Sequence, residues 1–303
     1  MTINETMMMT AMMLAPAFFS LIGMAVFGSP VVSLLGEITA KTKKRVFYDK
    51  YGQQTATMGV VLLAVFILVE AVGIALLYQK YPDLLASMVS ADSPLKLAGI
   101  ALAAFLLLGV PYSLTWKQLR KSKGLHMAMG FGACAAVIAM FVLGIPAKLS
   151  IAVASSAEQT MQLTPLPLIA MYLFFMVAAA AGMSCAYLVI RRHKDDFGRD
   201  YYNFALKLAS RWALIPMVGF LACQGWLFAT LPEGIKTLVL ETPLGIVWGA
   251  SAFFGLLCLI IWGLIARSSS PLRIKGLTFT GVLLLWLVHT GNALLFVNFM
   301  SMS

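Results

Sequence analysis

The feature that most constrains this chain is a run of eight apolar stretches, each long enough to cross a bilayer. They cover roughly residues 8–35, 57–79, 95–116, 126–147, 165–190, 206–231, 243–266 and 277–299. A hydrocarbon core about 30 Å thick needs about 20 apolar residues of helix to span it. Inside that layer every backbone amide must be satisfied within its own segment, which selects helices. Only 11% of the residues are charged, against roughly a quarter in a soluble domain, so a soluble fold is excluded. The sequence predicts an all-α, polytopic membrane protein with eight transmembrane helices.

Direction follows from the loops. Of 22 basic residues, 18 lie on one side: Lys41 to Lys50 after the first span, Lys117 to Lys123 after the third, Arg191 to Arg211 around the fifth and sixth, and Arg267 to Lys275 after the seventh. The other side holds only Lys80, Lys96, Lys148 and Lys236. Short cytoplasmic loops carry the excess of Lys and Arg, so both termini are expected on the periplasmic side of a bacterial inner membrane. The net charge of +10 therefore reports orientation, and nucleic acid is not an expected partner, since that needs basic residues gathered on a solvated face. Glu5 precedes the first span with no Lys or Arg, unlike a cleaved secretory signal, so that span is expected to be retained.

The chain also matches itself at a spacing of about 150 residues. Ser93-Pro94-Leu95 opens span three as Thr242-Pro243-Leu244 opens span seven, with Ala103 and Phe105 in register with Ala252 and Phe254. Lys123-Gly124-Leu125 opens span four as Lys275-Gly276-Leu277 opens span eight, and residues 48–57 (YDKYGQQTAT) parallel residues 201–210 (YYNFALKLAS). With four spans per half the halves enter the membrane in the same direction, as parallel repeats do. Two four-helix units are expected, residues 1–155 and 156–303. Small residues at Ala178 to Gly182 and Gly130 to Ala136 favour close helix approach. Pro111 and Pro216 are candidate kinks. Tyr48, Tyr51, Tyr201, Tyr202 and Trp116 read as an interfacial aromatic belt.

Of 12 acidic residues only Glu70 lies well inside a span, and an ionisable group there is costly unless paired, protonated or wet. At 1.5 Å per residue it sits roughly 18 Å from the basic edge. The same count places Gln224 of span six and His289 of span eight at that level. Asn292 follows on the face of His289. If these spans meet, Glu70 and His289 form a proton or quinone site flanked by Gln224 and Asn292, and the competing reading is a structural hydrogen-bond network.

A haem held by two histidines is excluded, because His126 and His193 lie at the basic edge, far from His289; a single haem b through His289 and a methionine is the residual possibility. No metal site is expected from the cysteines, which lie singly at Cys134, Cys185, Cys223 and Cys258 without CxxC spacing. The stacked methionines Met8/Met12 and Met9/Met13 keep copper handling as an alternative. Hydrolytic or nucleotide-driven chemistry has no motif here.

The basic, aromatic linkers at residues 37–60 and 191–215, within a duplicated four-helix plan, resemble the membrane subunits of cytochrome bd quinol oxidases. That resemblance implies a quinone-linked respiratory complex with membrane or periplasmic redox partners such as cytochromes. Span one has no histidine and three haems exceed the histidines available, so the resemblance implies a haem-poor or haem-free anchor. The eight spans also resemble the copper resistance D family, which implies a self-sufficient copper or small-solute transporter.

Overall fold

The computed structural model describes residues 3–90, 92–155, 165–195 and 197–302. The eight spans are long helices: α1 (Ile3–Lys43), α2 (Val46–Lys80), α4 (Lys96–Leu114), α5 (Lys123–Ser155), α6 (Pro165–Asp195), α7 (Arg199–Thr230), α9 (Leu244–Arg267) and α10 (Gly276–Met302). Several outrun their apolar stretch, and α1 continues through Lys41 to Lys43 at its C-terminal end, where cations complement the helix dipole. Two short helices not expected from the sequence, α3 (Pro82–Val89) and α8 (Glu233–Glu241), connect α2 to α4 and α7 to α9. The segment 156–164, where the boundary between the two expected units falls, lies outside the described residues.

The order long, long, short, long, 3-10 turn, long runs twice along the chain, with turns at Gln118–Lys121 and Pro271–Ile274. Local chemistry recurs with it. The Leu95 amide donates to Ser93 Oγ at 3.3 Å as the Leu244 amide donates to Thr242 Oγ1 at 3.4 Å. The α1–α2 corner uses a left-handed Lys44 (φ 51°), whereas the α6–α7 corner uses Gly198 (φ 83°), where glycine avoids the steric cost a side chain bears.

Each helix packs mainly on its hairpin neighbour: α1 on α2, α4 on α5, α6 on α7, and α9 on α10. The quartets are joined through α1 and α6, which also pack on each other and on α5 and α10. They are the most enclosed spans, each 61% buried. Close approach there rests on missing side chains: a Cβ on Gly28 of α1 would overlap the Met176 carbonyl and touch Ala180 of α6. Ala178 to Ala181 are all fully buried, and Gly182 lies against Trp262 and Leu285, as the small-residue reading expects. Pro111 and Pro216 sit inside uninterrupted helices.

The aromatic residues near the basic end are not a belt facing lipid. Tyr51, Tyr201 and Tyr202 are buried, as are Tyr48 and Trp116. Tyr51 Oη lies 2.8 Å from Ser184 Oγ, and Tyr201 donates to Gln54 Oε1, whose amide donates to Asp195 at 3.0 Å. Arg191 holds Asp195 by two bonds, and Lys50 Nζ stands 4.5 Å from the Phe197 ring centre. The tyrosines are enclosed because α2 packs on α6 and α7 at this end, and the hydroxyls of Tyr51 and Tyr201 find partners across that seam.

Candidate functional site

Two of the four polar residues expected at one level do meet. Gln224 of α7 donates through Nε2 to Asn292 Oδ1 of α10 at 2.9 Å and to Ser251 Oγ of α9 at 3.3 Å. Ser251 Oγ donates in turn to the Val288 carbonyl at 3.3 Å. All three side chains are buried. Serine is too common in helices to single out in advance, and only the packing of α9 against α7 and α10 brings Ser251 in. Gln224 and Asn292 line a small cavity with Tyr172, Leu227, Trp248 and Phe296, with about 10 Å3 open to the centre of a water-sized sphere. That is room for one water and for nothing larger. Gln224 Oε1 is buried without a partner, so a single water there would satisfy an acceptor that is otherwise costly to leave bare.

His289 does not join this cluster. Although one turn from Asn292, its Nε2 lies 3.0 Å from Ser20 Oγ of α1. Its ring stacks on Phe175 of α6 at 5.1 Å and 15°. Nearby, Trp286 Nε1 donates to the Leu14 carbonyl at 2.7 Å. The imidazole therefore pins α10 to α1 and α6, with Nδ1 buried and unpartnered. The common pocket expected for His289 and Asn292 divides because three residues along a helix turn a side chain by about 60°, enough to address different neighbours.

Glu70 departs furthest from the expectation. It is exposed on α2 and makes no hydrogen bond or ion pair among the described residues, whereas α2 packs chiefly on α1, α4, α6 and α7. Counting along a helix gives depth but not direction, and α2 leaves the bundle before Glu70 is reached. The four-residue constellation is thus an amide–serine cluster, a histidine turned to α1 and α6, and an outlying carboxyl.

A different pair, not anticipated from the sequence, is the most enclosed ionisable contact in the described structure. Glu37 of α1 and His126 of α5 are 1% and 2% exposed. Nδ1 of His126 lies 2.9 and 3.1 Å from the two Glu37 oxygens, and Nε2 lies 2.8 Å from the Tyr112 carbonyl. That carbonyl can only accept, so Nε2 carries a hydrogen, and a second proton is held between Nδ1 and the carboxyl. The rings of Tyr112 and Trp116 enclose the imidazole at 4.5 and 4.7 Å. The signal was present in the sequence: Glu37 follows the first apolar stretch by two residues and His126 opens the fourth, so both stand at the basic edge at equal depth. Facing Lys123, Asp49 forms an ion pair beside this site. Among the described residues, no three His, Cys, Asp or Glu side chains gather into a metal site.

Fold and geometry together define a multi-pass helical membrane protein whose buried polar contacts tie its helices to one another. A protein of known structure that it is similar to is a chain of bd oxidase from Geobacillus thermodenitrificans, with a TM-score of 0.69 at 12% identity over 96% of this chain and 86% of that one. At that identity the likeness establishes a shared fold. No protein-family model matches the sequence, and the comparison with curated proteins gives no match either.

Proposed function

We propose that this chain is an integral membrane subunit of a respiratory, quinone-linked electron-transfer complex of the bacterial inner membrane. The observation that carries the reading is the fold shared with a bd oxidase chain across nearly the whole of this one. A match over 96% of the chain takes in connecting segments as well as spans. The basic end, with Lys41 to Lys50, Lys117 to Lys123, Arg191 to Arg199 and Arg267 to Lys275, is the cytoplasmic side in this reading. Both termini are then periplasmic.

The part played is that of an anchor that completes sites together with its partners. Glu70 supports this, being an exposed carboxyl at membrane depth that makes no hydrogen bond or ion pair among the described residues. A proton or quinone site at Glu70 would be finished by another subunit, without His289, whose Nε2 is committed to Ser20. The test is purification of the protein from its native membrane, with identification of the accompanying chains, haems and extractable quinone. Co-purifying cytochrome or iron–sulfur subunits are expected. A lone protein, with or without bound copper, would overturn the reading. Glu70→Gln is expected to slow quinol-linked electron flow or impair assembly; if it changes neither, Glu70 has no part in the site.

A further inference from the structure

Seven of the eight spans bury between 22% and 61% of their most apolar window, and α2 buries 6%. The deficit lies in its distal half, beyond Phe66. Residues 70–76 are exposed without a break. At 100° per residue, seven consecutive positions pass every direction around the helix. A helix that merely borders lipid keeps a buried stripe against its neighbours. This segment has none, and a Cβ on Gly73 would meet nothing within 4 Å.

The chain contains its own control. α7 occupies the same place in the second run of elements, and it keeps Met217, Phe220, Cys223, Gln224 and Leu227 buried at helical spacing. At the level where α7 encloses Gln224 between Ser251 and Asn292, α2 holds out Glu70.

The opening beside Glu70 has two walls. Phe66 packs edge-on against Phe27 and lies against Gly23 of α1. The α1 stripe that faces α2 continues from Gly23 through Phe19 and Pro16, both exposed. On α2 the stripe continues from Phe66 through Glu70 and Gly73. Beyond Phe66 the residues of both stripes are exposed, so that α1 and α2 leave an apolar cleft with a single carboxyl in it.

The chemistry of that carboxyl selects the occupant. A carboxyl facing hydrocarbon needs a donor or a counter-charge. A second copy of this chain would cross the membrane in the same direction and present its groups at the same depths. Its basic residues lie towards the ends of the spans, so it offers no counter-charge at the level of Glu70. It would add a second carboxyl and no cation for the first. We propose that the cleft between the distal halves of α1 and α2 receives a transmembrane helix of a different chain, one that carries a lysine, arginine or histidine at the depth of Glu70. This deepens the reading of the chain as one subunit of a larger complex, and rests on it for the existence of a partner but not for the partner's chemistry.

The test places a photo-reactive benzoyl-phenylalanine at Ile74 in the full chain, expressed in its own host, with irradiation of intact membranes and mass spectrometry of the adducts. The expected adduct is to one other membrane protein, on a helix with a basic residue at that depth. Glu70→Lys is expected to lower its yield at least tenfold, and changing the partner's basic residue to glutamate to restore it. Where Glu70→Lys lowers insertion, Gly73→Phe serves instead: its Cβ meets nothing within 4 Å, and it is expected to cut the yield tenfold with the amount of protein in the membrane unchanged. Adducts to a second copy, to lipid alone, or to a helix with no basic residue would each overturn the proposal. A basic partner helix from a protein with no redox role would refute the respiratory assignment and leave the docking intact. A redox complex that co-purifies unaltered with both variants would do the reverse.

Discussion

Replacing His126 with alanine removes the ring nitrogen that faces both Glu37 oxygens, and the structure sets the size of the effect. The carboxyl is 1% exposed and both its oxygens lie within 3.1 Å of Nδ1. Stripping a buried ion pair of one member costs about 3–5 kcal/mol, because the survivor can neither pair nor hydrate. Loss of the Nε2 bond to the Tyr112 carbonyl adds about 1 kcal/mol, and rotation of the Glu37 side chain towards the basic end would recover part of the total. His126→Ala is therefore expected to destabilise by about 4 kcal/mol. The double variant Glu37→Leu/His126→Leu leaves no buried group unpaired at either position, and is expected to lie within about 2 kcal/mol of the parent. A double-mutant cycle closed with the single variants Glu37→Leu and His126→Leu then gives a coupling of at least about 2 kcal/mol. The assay is equilibrium unfolding of the purified chain in mixed micelles with a rising fraction of SDS, followed by tryptophan fluorescence, since Trp116 sits 4.7 Å from the imidazole. A double variant that costs the sum of the two single ones would refute the reasoning, since the two groups would then be contributing independently.

Three further outcomes follow from the same geometry. Gln224→Leu is expected to cost about 1–2 kcal/mol in that assay, because Asn292 and Ser251 lose their donor while the bare Oε1 disappears with it; a gain in stability would show that the cluster is not held by these bonds. Gly28→Val drives a side chain into the Met176 carbonyl and Ala180 and is expected to cost about 3 kcal/mol or more, whereas Gly225→Ala, with open space around its Cβ, is expected to gain about 0.5–1 kcal/mol from helix propensity; equal effects would deny the close packing of α1 on α6. Glu70→Leu in the isolated chain is expected to change unfolding by less than about 0.5 kcal/mol, since an exposed residue away from structural features seldom does more, and a larger loss would mean that this carboxyl has a partner within its own chain.

What the amino-acid order determined by itself was everything that follows from the cost of placing backbone and charge in hydrocarbon. Eight apolar stretches became eight helices with little freedom, because no other local structure satisfies amides in lipid. The meeting of Gln224 with Asn292 was also readable, since equal distance along two helices from a common edge means equal depth. Direction around each helix was not. Whether a side chain turns inward depends on which helix packs beside it, and those partners come from remote parts of the chain: Glu37 finds His126 across 89 residues and Trp286 finds Leu14 across 272. The belt of tyrosines was buried, His289 was turned onto α1 and Glu70 was left in the open by the way α2 closes on α6 and α7 at one end and parts from α1 at the other. Lipid offers helices no hydrophobic drive to associate, so their pairing is decided by small residues such as Gly28 and by a few polar contacts, a balance that resides in the assembled bundle rather than in any single span.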